Sequence, residues 1–167
     1  MTEQICDVSL QARCLAYLAV VHRRQGHDAE VETYSRRGLA VAESAGMLDY
    51  VGAGRANLAW LAERQGDLSE AQRLGQTALE AWRLFAMPYP FYWQALWPLI
   101  GVALAQDRSA DAISYALQLC DPIQQALPIA SEKPLAAALA AWDTGQPDEA
   151  RQLLLQALDL AQRINFS

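Results

Sequence analysis

Several residue types are scarce in this chain of 167, and each scarcity narrows what the protein can be. Lysine occurs once, at Lys133; every other basic residue is arginine, and 19 acidic residues outnumber the 13 basic ones. A net charge of −6 opposes the basic excess that a nucleic-acid-binding face carries, so no direct contact with DNA or RNA is expected. The three cysteines, Cys6, Cys14 and Cys120, make neither a disulfide framework nor a CxxC metal pair, and they read as small buried apolar residues. No apolar run approaches the ~20 residues that cross a bilayer. The opening Met-Thr-Glu-Gln-Ile-Cys-Asp lacks the basic stretch and apolar core of a secretion signal, so a cytoplasmic location is expected. There is no GxxxxGK[ST] phosphate loop, and β-branched residues are few.

What the chain has in quantity is helix formers: alanine, leucine, glutamine, arginine and glutamate dominate, and 53% of residues are hydrophobic. It also repeats. Leu18–Val31, Leu58–Ala71 and Leu99–Ala112 align with one another, and Ala137–Ala150 is a weaker fourth copy. The residues Val31, Ala71, Ala112 and Ala150 hold the same place in each, at spacings of 40, 41 and 38. Each copy reads as helix, tight turn, helix. Gly26, Gly66, Asp107 and Gly145 stand at the turn, where a reversing helix puts a residue in the left-handed region that glycine enters freely and aspartate tolerates. N-caps are expected at Asp28, Ser69, Ser109 and Pro147-Asp148, with Ser69 and Gln72 spaced for a capping box. Apolar residues such as Ala71, Leu74, Ala78, Leu79 and Trp82 then recur at helical spacing. The pattern predicts eight helices, roughly over 8–25, 29–45, 49–65, 69–86, 91–106, 109–127, 132–144 and 148–164.

Leu58-Ala59, Gly66-Asp67 and Ala71, in that spacing, resemble the core of the tetratricopeptide repeat: a leucine-small pair, a turn glycine, and a small residue early in the second helix. The first copy keeps Leu18-Ala19 and Gly26 but has Val31; the third has Asp107 for glycine; the fourth has Ala137-Ala138, Gly145 and Ala150. The period near 40 rather than 34, and the missing repeat-ending proline, depart from the family's pattern. The resemblance implies an all-α, right-handed solenoid of about four antiparallel helix pairs in a single domain over 1–167, with repeats near 8–46, 49–87, 91–128 and 131–165. It further resembles the helical sensor arrays of large bacterial regulators, the LuxR-type ATP-dependent transcription activators and related signal-transduction ATPases. That implies a protein-interaction or regulatory scaffold, non-enzymatic and without cofactor, that binds a protein or peptide partner or the rest of a larger regulator. The alternative is a small-molecule sensor with an aromatic pocket. The apolar end Leu158, Leu160, Ala161, Ile164, Phe166 lacks a polar cap, which suggests self-association through open ends.

In such arrays the first helix of each pair lines the concave face. Carried over, the groove positions are Arg13, Tyr17 and Arg24 in the first repeat, Asn57, Trp60 and Arg64 in the second, and Gln94 and Trp97 in the third. Arginine offers a planar fork, and aromatics offer contact area at low entropic cost. Residues 82–97 hold seven of the 14 aromatics, with Pro88 and Pro90 breaking the helix and Pro98 expected to kink the next one. Two readings stand for this segment: an aromatic plug at the repeat junction, or a pocket around Tyr89, Trp93 and Trp97.

No catalytic constellation emerges. His22 and His27 lie five apart with no third ligand for a metal site. The acidic residues near helix starts, such as Asp148-Glu149, suit the helix dipole. The pairs Arg23-Arg24 and Arg36-Arg37 read as solvated.

Overall fold

The computed structural model describes residues 7–85, 89–164 and 166. Among these there are eight helices and no strand. They form four hairpins: α1 (Val8–Gln25) with α2 (Asp28–Ser44), α3 (Leu48–Arg64) with α4 (Leu68–Arg83), α5 (Trp93–Ala105) with α6 (Ser109–Leu119), and α7 (Ile129–Asp143) with α8 (Pro147–Arg163). The molecule is an all-α helical-repeat solenoid.

The turns inside the hairpins follow from single residues. Gly26, Gly66 and Gly145 take φ of 72°, 82° and 73°, and Asp107 takes 54°, all in the left-handed region, so each first helix stops and reverses where the sequence indicates. The expected N-caps shift upstream. Asp28, Ser109 and Pro147 are first residues of their helices, and in α4 the cap is Asp67, whose Oδ1 accepts from the Glu70 amide at 3.0 Å. α6 ends at Leu119, well short of residue 127. Pro122 keeps Asp121 out of helical geometry, and the Asp121 carboxylate instead accepts from the Ile123 amide at 2.9 Å. α7 starts earlier than expected, at Ile129, directly after Pro128. Cys14 and Cys120 are exposed rather than buried. On α1 the buried stripe is Ala12, Leu15, Ala16 and Ala19, and Cys14 falls between its members. Cys6 lies outside the described residues.

α1, α3 and α5 stack side by side, with α2 packed on α3 and α4 on α5. Close approaches make this possible. A Cβ on Gly52 would sit 2.2 Å from the Trp82 Nε1, so only glycine lets α3 accept the indole, whose N–H donates to the Asp49 carbonyl at 3.0 Å. The regular stacking ends at the fourth hairpin. α7 packs on α6, but α8, rather than α7, reaches α5. α5 is consequently wrapped by α3, α4, α6 and α8, and every residue from Trp93 to Leu104 is buried. A helix apolar on all sides must lie inside, and α5 carries no charged residue. Among the described residues no helix is long and apolar enough to cross a membrane.

Candidate aromatic pocket

Residues 89–92, which lead into α5, and the connection 120–128 come together. The Gln125 amide donates to the Pro90 carbonyl at 2.9 Å, and the Gln124 Oε1 accepts from the Tyr92 amide at 2.9 Å. The Gln124 Nε2 donates to the Tyr89 carbonyl at 3.1 Å, and the Trp93 Nε1 donates to the Gln125 Oε1 at 3.0 Å. Two consecutive glutamines thus pin residues 89–93. Behind that segment Trp82 stacks on Tyr89 with centroids 4.7 Å apart and on Tyr92 at 5.5 Å.

The pinned segment faces α1 and the start of α3 across a cavity of about 250 Å³. α1 contributes Tyr17, Val20 and Arg24, one stripe at helical spacing; α3 contributes Asp49, Tyr50 and Ala53; the junction contributes Tyr89, Phe91, Trp93 and Gln94. Five walls are aromatic. Tyr89 is half-buried, and burial raises its phenol well above the ordinary value of 10.0, so it stays neutral. The Arg13 Nε donates to the Tyr50 hydroxyl at 2.9 Å and fixes that ring at the edge of the cavity.

Arg24 holds its guanidinium 5.6 Å from the Trp93 ring and 5.2 Å from the ring of Phe166. Phe166 is itself buried, stacked on Trp93 at 4.7 Å, with its amide donating to the Ala161 carbonyl at 2.8 Å. The expectation of a bare apolar end is therefore corrected at Phe166, which folds back on α5, although Ile164 remains exposed.

Beneath the cavity lies a residue that the sequence reading placed in solvent. Arg23 is 0% exposed. Its Nη1 donates to the Gln94 carbonyl at 2.9 Å and to the Asn57 Oδ1 at 3.3 Å, and its guanidinium lies 5.3 Å from the rings of both Trp60 and Trp93. The Gln94 carbonyl is free to accept because Pro98, four residues on, has no N–H to offer it. The proline expected to disturb α5 thus supplies the acceptor for a buried cation. Burial pushes Arg23 from 12.5 down to about 9, Glu63 pulls it back up, and it remains charged at neutral pH. Burial likewise raises Glu63, against the pull of Arg23 and Arg64.

The residues singled out in the sequence separate into groups. Tyr17, Arg24, Tyr89, Trp93 and Gln94 converge on one cavity, with Arg13 at its edge. Asn57 and Trp60 are buried around Arg23. Arg64 lies 4.8 Å from the Trp60 ring and pairs with Asp28 at 3.3 Å. Trp97 is fully buried in the core and does not line the cavity. Sequence reasoning missed Arg23, Asp49, Tyr50, Phe91 and Gln125. Tyr50, Ala53 and Asn57 form a helical stripe that could have been extended from Asn57. Gln125 gave no local signal, since its role depends on contact with a distant connection. His22 and His27 face each other, Nδ1 to Nδ1 at 3.2 Å, and no cluster of three metal-ligating side chains occurs among the described residues.

Residues 136–165 match the sequence model of the tetratricopeptide repeat. That span covers the second half of α7 and all of α8, so the match falls on the copy read as weakest in the sequence. No curated protein matches the chain. The match covers one of the four helix hairpins, and the array as a whole resembles a tetratricopeptide solenoid. Such repeats generally mediate protein–protein interaction.

Proposed function

We propose that the chain is a recognition module, a regulatory scaffold that grips a protein partner, and that its grip centres on the cavity between α1, α3 and the 89–94 segment. The observation that carries this is the convergence of Tyr17, Arg24, Tyr89 and Trp93, from separate parts of the chain, on one partly open cavity. Tyr17 is 62% exposed, so an incoming side chain can reach it without any rearrangement. Next to it on α1, Leu10, Leu18 and Val21 are also exposed and extend the apolar surface, which suits a partner or a second copy. The setting we favour is the sensing part of a bacterial transcription regulator or signalling ATPase, in the cytoplasm. A comparison of proteins retained by the wild type and by a Tyr17→Ala, Arg24→Ala double variant tests this. The proposal expects one partner to be lost from the variant while its helical content is unchanged; equal retention by both proteins would contradict it.

The enclosure of the cavity by four chain segments favours a second reading, a sensor for a small molecule, because a flat groove would offer no such walls.

A further inference from the structure

Of the polar groups around the cavity, three stand out. Arg24, on α1, and Asp49, on α3, carry opposite charges and both line the cavity, and neither belongs to any salt bridge among the described residues, although seven other basic residues do. Arg24 is held in place by two rings, so its fork is oriented without its hydrogen bonds being spent. Gln94 also lines the cavity; it is only 6% exposed, and its Oε1 has no hydrogen-bond partner. A buried acceptor without a donor costs free energy that a ligand carrying an N–H can recover. Apart from Gln125, whose Oε1 accepts from the Trp93 indole, the remaining lining is aromatic and apolar. The size is also informative: about 250 Å³ falls below the ~300–1,000 Å³ of pockets that take larger ligands.

We infer that this cavity binds a free amino acid with an aromatic side chain, its ring among Tyr17, Tyr50, Tyr89 and Trp93, its carboxylate on Arg24, and its ammonium on Asp49 and the Gln94 Oε1. The inference rests on the small-molecule reading above and deepens it. A simple anion would leave Asp49 and Gln94 unanswered, and a simple cation would face Arg24. A zwitterion attached to a planar ring satisfies all three polar groups and the walls together. It also gives the exposed, unpaired Arg24 a role: its fork offers a carboxylate a bidentate partner on the cavity lining.

Titration calorimetry on the full chain, with L-phenylalanine as the probe, tests this beside three analogues: phenylalanine amide, which lacks the carboxylate; N-acetylphenylalanine, which lacks the ammonium; and toluene, which lacks both. The zwitterion should bind at least tenfold more tightly than any of the three. Arg24→Gln should weaken the amino acid at least tenfold while leaving the amide unchanged, and Asp49→Asn should do the same with respect to the N-acetyl compound. Both side chains lie toward the surface, and an unchanged thermal midpoint in each variant shows that the fold is kept. If the amide, the N-acetyl compound or toluene matches the amino acid, the zwitterion assignment is overturned and the pocket reading survives. If none of the four binds at millimolar concentration, the small-molecule reading falls with it, and the protein-partner reading does not.

Discussion

α3 and α5 hold equivalent places in successive hairpins, yet their surroundings differ. α3 carries Asp49, Arg55, Glu63 and Arg64, and its Asp49, Tyr50 and Ala53 stay open to the cavity. α5 carries no charge and is covered on every side, by α8 where a regular array would have stacked α7. The repeat sets where a helix lies. The polarity of its sequence, and what folds over it, decides whether its concave flank becomes a groove or a core. The same contrast separates Arg23 from Arg24. One residue apart on α1, they point about 100° apart around the helix axis; one enters the core between Trp60 and Trp93, and the other lines the cavity.

The contrast can be broken by mutation. The largest effect is expected at Trp97, fully buried in α5. Trp97→Ala removes a large core side chain and should cost roughly 3–5 kcal/mol, read as a fall in the thermal midpoint of about 10 °C for a chain of this size. A fall of less than a few degrees would mean that α5 is not the centre of the core. Arg23→Met keeps much of the volume but removes the charge, leaving the Gln94 carbonyl and the Asn57 Oδ1 without their donor. It should cost about 3 kcal/mol, measured by urea denaturation, whereas Arg24→Gln should stay within about 0.5 kcal/mol of wild type. Equal effects at the two neighbours would contradict the assignment of one to the core and the other to the cavity.

The smallest effect is one of pH. The raised carboxyl of Glu63 contributes stability that is fully present below its ordinary value of 4.5 and is lost as the pH climbs through its raised value. Glu63→Gln does not titrate there, so its stability should improve relative to wild type as the pH rises across that window. A difference independent of pH would show that Glu63 is as well hydrated in the fold as in the unfolded chain.

Much of this architecture could be read from the sequence, because it depends on local chemistry. Gly26, Gly66, Asp107 and Gly145 mark turns by backbone preference alone, and the small residues Ala71, Ala112 and Ala150 mark where helices touch. The aromatic cluster in 82–97 includes Tyr89, Phe91 and Trp93, which line the cavity. What escaped were features made by distant contact. The burial of Arg23 depends on a carbonyl that Pro98 leaves vacant 71 positions away in sequence. The shape of the 89–93 segment depends on Gln124 and Gln125. The position of Phe166 over Trp93 depends on α8 taking the place beside α5. None of these leaves a periodic trace, since each depends on a partner far away in the sequence.

The proposed recognition takes place at the cavity wall formed by Trp93 and not at the core indole of Trp97. Indole N–H signals in a two-dimensional NMR spectrum report on both side chains at once. On titration with L-phenylalanine, the signal of Trp93, whose indole donates to Gln125, should shift progressively while that of Trp97 stays in place. A Trp93 signal that does not move while the protein demonstrably binds its ligand would contradict it.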